Sequence, residues 1–205
     1  KVTQALGWAY EKALNGIPGD LSSESLAKSY MKRFSSTDEA IHSLIKWQTA
    51  KSSTSGFVTG LGGIVTLPVA VPVNIASVLY VQMRMIAAIA YMRGYDLKDD
   101  QVQTFVFICL TGQAASDILK QSGITVGTKL TVQLIKKVPG ATLTKINQKV
   151  AFRLVTKFGE KGVINLGKLV PVVGGVIGAS VDGVGTKIIG NQANKLFVEL
   201  DSSVI

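Results

Sequence analysis

The chain has 205 residues, long enough to bury a sizeable core without disulfide or metal support, which excludes a stapled mini-domain. Hydrophobic residues make up 47% and charged residues 17%, with a mean hydropathy of +0.34, and this excludes intrinsic disorder. The net charge of +9 is regional: residues 120–168 hold ten lysines and arginines against Glu160 alone, while the stretches on either side nearly balance.

Residues 1–16 mix Glu11 and Lys12 into an amphipathic pattern, without the apolar run of a secretory signal. Leu6, Tyr10, Ala13 and Leu14 carry helical periodicity, and Asn15-Gly16-Ile17-Pro18-Gly19 supplies turn chemistry. A second short helix is expected from about Leu21 to Phe34. Ser36 with Glu39 forms a capping box ahead of Ala40, Ile41, Leu44 and Ile45, opening a third helix that runs to about Lys51.

From Ser52 to Met83 the sequence holds no charged residue. Its first part, Gly56 to Gly63, is too glycine-rich for a stable isolated helix. Pro72 fits the first turn of a helix extending to Arg93, with Gly94 as its stop. At about 22 residues, or ~33 Å, that helix has the length of a bilayer span. It carries Asn74, Ser77 and Arg84 on one stripe, however, and a charge near a bilayer centre costs roughly 2.5–3.5 kcal/mol on insertion scales, so a buried central helix is the expected reading.

Asp96, Asp99 and Asp100 stand where carboxylates favour a helix start, and Val102 to Leu119 is expected to continue as one apolar helix containing Cys109. Ile124 to Val138 fits both strand and helix periodicity and is assigned as helix, because a lone strand would have no partner. Lys145, Lys149, Arg153, Lys157 and Lys161 then recur at every fourth position, with Ile146, Val150, Leu154 and Phe158 one position behind, which predicts a basic amphipathic helix. In the last apolar segment, 169–189, Gly174 and Gly178, and Gly175 with Ala179 and Gly183, are small residues four apart, spaced for close approach of another helix.

Three stretches are similar to the EcsC proteins of bacteria: Glu11 to Gly19; Thr59-Gly60-Leu61-Gly62-Gly63 through Pro72 to Ile86–Ala90 and Gly94-Tyr95-Asp96; and Leu169 to Gly178. The resemblance spans nearly the whole chain and implies an all-α bacterial protein. In the family's founding case the gene lies beside those of an ABC transport system. The motifs consist of glycine, proline and aliphatic residues, so the resemblance carries over no catalytic residue.

The chemistry is sparse. Gly60-Leu61-Gly62-Gly63 lacks the lysine of a phosphate-binding loop. Cys109 lies in an apolar run and reads as a small hydrophobe, His42 being the only histidine that could activate it. Asp96, Asp99 and Asp100 read as helix caps, with cation coordination as the rival. Arg84 and Asp182 are each the lone charge in a long apolar segment, so they are expected to pair, with Asn74 and Ser77 nearby, or else to line a polar patch that takes a head group. The basic stripe is a solvated face, an anionic-lipid surface or, less well supported, a nucleic-acid contact, since only Phe152 and Phe158 interleave and both fit the core.

The expectation is therefore a compact all-α domain over residues 1–205 with two glycine-rich apolar central helices. Its expected function is non-enzymatic: binding a membrane surface or a fatty acyl ligand, without cofactor or metal, at the inner face of the membrane and through Lys145, Lys149, Arg153, Lys157 and Lys161. Gly174, Gly175, Gly178 and Gly183 would make helix contacts, and a cavity between the 72–93 and 174–190 helices would hold an acyl chain. The rivals are an adaptor for a membrane transporter and a lipid-directed hydrolase.

Overall fold

The computed structural model describes residues 2–52, 73–124, 132–165 and 174–198, with side chains omitted at 73–75, 132–133, 157–165 and 174–182. Among these residues every regular element is helical. They are α1 Val2–Asn15, α2 Ser23–Met31, α3 Thr37–Ser52, α4 Val73–Met92, α5 Asp100–Cys109, a 3-10 turn Gly112–Ala114, α6 Ala115–Gln121, α7 Val132–Lys136, α8 Gly140–Asn165 and α9 Gly174–Leu196.

The all-α expectation holds, and α4 is the element around which the others gather. Every side chain from Leu79 to Ala90 is buried, so the helix is enclosed on all sides, as an apolar helix without a polar face must be. α1, α2, α3, α5 and α9 all pack against it, while α8 lies further out, on α1, α5 and α6. Among the described residues no helix is long and apolar enough to cross a membrane.

Local chemistry sets the boundaries. Gly94, at φ +90°, ends α4 in a Schellman motif, with Gly94 N–H donating to Tyr91 O and Tyr95 N–H to Ala90 O. At the head of α3, Glu39 N–H donates to Ser36 Oγ at 3.2 Å, while the Glu39 carboxylate reaches back to Ser35 N–H, one residue earlier than a standard capping box. α2 starts at Ser23, behind Ser22, whose Oγ accepts from Ser25 N–H.

Several expectations need correction. The helix expected from Val102 to Leu119 breaks at Thr111–Gly112, where Gly112 adopts φ +61° and Thr111 Oγ1 turns back to the Ile108 carbonyl. Of Ile124–Val138, only α7 is helical among the described residues, and Ile124 lies outside any helix. The two central helices are not both glycine-rich, for α4 contains no glycine; Gly56–Gly63 lies outside the described residues. At Thr186–Gly190 α9 lies in direct contact with α4, where Gln82 Nε2 donates to Thr186 Oγ1 at 3.2 Å and a Cβ on Gly190 would meet Ile45 at 2.8 Å and Met85 at 3.2 Å; the rest of the cavity expected between these helices falls at side chains outside the described residues.

Gly190 is thus a point of close contact between α3, α4 and α9. Gly190→Ala gains about 1 kcal/mol of helix propensity but overpacks the contact at a cost of roughly 1–3 kcal/mol. Thermal unfolding should show a net destabilisation, and Ile45→Ala in the same background should cost less than the sum of the two single changes.

Candidate functional site

Two groups of polar residues stand out, one inside the helical body and one on its surface. The inner group begins with Arg84, on the buried face of α4 and only 1% exposed. A guanidinium so enclosed is stable only if it is paired. Among the described residues its partner is Asp20, which the sequence did not mark: Arg84 Nη1 forms an ion pair with Asp20 Oδ1 and donates to the Leu21 carbonyl at 3.0 Å. The Asp182 side chain, like that of Asn74, lies outside the described residues, and Ser77 is buried on α4.

Asp20 is delivered by the turn that follows α1. Gly16, at φ +77°, leaves no space for a side chain: a Cβ there would meet Ser22 N at 3.0 Å and Asp20 O at 3.1 Å. Pro18 and Gly19, the latter at φ +83°, occupy the central positions of a type II turn closed by Asp20 N–H to Ile17 O at 2.9 Å. The motif Gly16–Gly19 therefore aims a carboxylate at the central helix. Lys51 Nζ lies 3.7 Å from the same Asp20 oxygen, and burial holds its ammonium below the usual lysine range. The Arg84 guanidinium sits 5.5 Å from the centroid of the Tyr80 ring. Burial pushes the Tyr80 phenol up to about 12, and its hydroxyl, Asp20 Oδ2 and Arg84 Nε find no hydrogen-bond partner among the described residues.

The outer group is on α8. Ile146, Val150 and Leu154 are buried, as the periodicity predicted, and Lys145, Lys149 and Arg153 face outward. Lys157 and Lys161 continue the helix, but their side chains lie outside the described residues. Phe152 is a correction: it is 76% exposed rather than in the core, and Val155 is 50% exposed beside it. A groove of about 480 Å³ runs between α8 and α6, with Lys145, Lys149 and Arg153 along one wall and Ala114 and Ile118 on the other. Lys149 Nζ donates across it to Gln121 Oε1 at 2.7 Å. Sequence reasoning missed Asp20, Tyr80 and Gln121; the only available signal was that the turn motif ends on a carboxylate.

The remaining candidates resolve simply. Cys109 is fully buried, and burial pushes its thiol up, opposite to the thiolate stabilisation that a nucleophile needs. His42 is exposed and donates from Nδ1 to the Asp38 carbonyl at 2.8 Å. The three aspartates do not all cap: Asp96 Oδ1 accepts from Lys98 N–H at 2.9 Å, whereas Asp99 holds the N-cap position of α5 without a side-chain cap bond. Among the described residues no three His, Cys, Asp or Glu side chains gather as metal ligands would. Gly183 is buried in α9, and Gly174, Gly175 and Gly178 fall in the part of α9 whose packing is not described.

The inner cluster predicts a coupled pair. Arg84→Met leaves the Asp20 carboxylate half-enclosed and should destabilise the fold by about 3 kcal/mol or more. The double variant with Asp20→Asn should recover part of this in urea unfolding, whereas strict additivity would mean the two do not interact. Tyr80 and Tyr95, both pushed by burial up to about 12 from an ordinary value of 10.0, stabilise the fold fully below pH 10.0 and lose that contribution as pH rises through about 12. The urea midpoint should fall over this window, and less steeply in Tyr80→Phe. At neutral pH the same substitution removes a buried, unbonded hydroxyl and should be neutral or stabilising by about 1 kcal/mol.

No curated protein and no solved structure matches the chain. The model of the EcsC protein family matches residues 2–198, and the chain belongs to that family.

Proposed function

We propose that this protein attaches peripherally to anionic membrane surfaces through α8, at the inner, cytoplasmic face of the membrane, and performs no catalysis there. The observation that carries the reading is the exposure of Phe152, 76%, on a helix that places Lys149 three residues before it and Arg153 immediately after. An exposed aromatic flanked by cations, with Val155 exposed beside it, matches a lipid interface, which receives both parts. Its apolar body enters the head-group boundary while the cations sit over phosphates. Each lysine or arginine near such a surface contributes about 1 kcal/mol, enough in combination to hold a protein without a span.

Flotation with vesicles tests the reading. Vesicles containing anionic lipid should retain the protein at low salt and release it as salt rises, while neutral vesicles should not hold it. Changing Lys145, Lys149 and Arg153 together to Gln should weaken binding about a hundredfold, and Phe152→Ser about tenfold, with helicity unchanged in both. Equal partitioning between anionic and neutral vesicles at low and high salt would refute attachment by charge. Retention on membranes only when a transporter subunit is present would favour the adaptor reading.

A further inference from the structure

The α6–α8 groove has features that a merely cationic surface does not need. At about 480 Å³ it falls within the range of small-molecule sites, and it is built from α6, α8 and the 3-10 turn that leads into α6. Lys145, Lys149 and Arg153 are four residues apart, so they step along the wall at about 6 Å per position, and neighbouring members can straddle one phosphate group. The central cation already spans the groove: the exposed bond from Lys149 Nζ to Gln121 Oε1, 2.7 Å, directs the ammonium across it and leaves two further N–H donors for a ligand. An ordinary surface lysine has no such anchor and must be ordered when it binds.

The remaining lining narrows the ligand. Three cations face one carboxylate, Asp117, so the groove carries net positive charge and is complementary to an anion. Asp117 together with the side-chain amides of Gln121 and Gln148 supplies acceptors and donors beyond the reach of a bare phosphate, and these suit hydroxyl groups. A choline head group has no hydroxyl to donate and, being zwitterionic, leaves the excess charge uncompensated. The last wall is Phe152, whose ring is also the exposed tip of the surface that meets lipid. The groove therefore opens onto the face from which acyl chains would extend.

We propose that this groove binds the head group of one anionic phospholipid whose phosphodiester carries a hydroxylated substituent, with the phosphate between Lys149 and its neighbouring cations and the hydroxyls on Asp117, Gln121 and Gln148. The inference rests on the membrane reading of α8 and adds to it a stoichiometric site with head-group selectivity.

The test uses short-chain lipids below their micellar concentration, titrated into the full chain and followed through the side-chain amide signals of Gln121 and Gln148. Dioctanoyl phosphatidylglycerol should saturate at one per protein, with at least tenfold higher affinity than the dioctanoyl choline and ethanolamine lipids or than inorganic phosphate. Ala114→Trp fills the groove without changing its charge, and should weaken this binding at least tenfold while flotation on anionic vesicles changes less than twofold. Gln148→Trp, on the exposed side of α8, provides the same obstruction if Ala114→Trp unfolds the 3-10 turn. Flotation without saturable binding, or saturable binding unaffected by either tryptophan, would overturn the groove and leave the membrane reading standing. Loss of the anionic preference in flotation would overturn both. Inorganic phosphate binding as tightly as the lipid would make this a free-phosphate site and overturn the lipid assignment.

Discussion

The fold depends on how a single guanidinium is neutralised inside a helix that is otherwise uncharged. Arg84 occupies a position where water cannot reach it, and α4 cannot be enclosed by its neighbours unless that charge is met from within. The carboxylate comes from the turn after α1, so closing the turn and burying the central helix are one event. Gly16 permits the turn, Pro18 and Gly19 shape it, and the Leu21 carbonyl accepts the second bond. Ion pairs of this kind are weak contributors to net stability but strict about geometry, and here they fix the register of α1 and α2 against α4.

A second set of polar contacts works at the other end of α4. Arg93 Nη2 donates to Asp38 Oδ1 at 2.6 Å and to Asn194 Oδ1 at 2.7 Å, joining the start of α3 to the end of α9. Beyond the Schellman turn, Tyr95 donates to the Val198 carbonyl and packs edge-on against Phe197. Tyr10 reaches the Leu97 carbonyl at 2.6 Å and meets Phe107 edge-on. The helices are thus tied by directional contacts at their ends, while apolar packing fills the space between them.

Most helices were legible in the sequence because their ends are written locally: Gly94, the Ser36 and Glu39 pair and the Asn15–Gly19 turn each carry their own geometry. The partner of Arg84 was not legible, since a turn carboxylate among polar neighbours carries no mark that it points inward. Asp182 drew attention only because its surroundings are apolar. Phe152 was misassigned to the core for a reason visible in the helix itself. It lies two residues from both Val150 and Leu154, a rotation of about 200°, which places it opposite the buried row that those residues form with Ile146. The groove could not have been read from either helix alone, because Gln121 and Lys149 meet only once α6 packs on α8. The break at Gly112 was hidden by the apolar run that precedes it, Phe105 to Leu110.

The placement of Phe152 among cations also governs how copies of this protein behave toward one another. An exposed ring of this size invites self-association, since two such faces could bury their rings together. Lys149 and Arg153 oppose that pairing, because bringing two α8 faces into contact sets like charges against like. The same cations therefore keep the molecule colloidally stable in dilute salt. At high ionic strength the repulsion is screened and the apolar attraction is left, so contact between two such faces is expected to grow more favourable as salt rises.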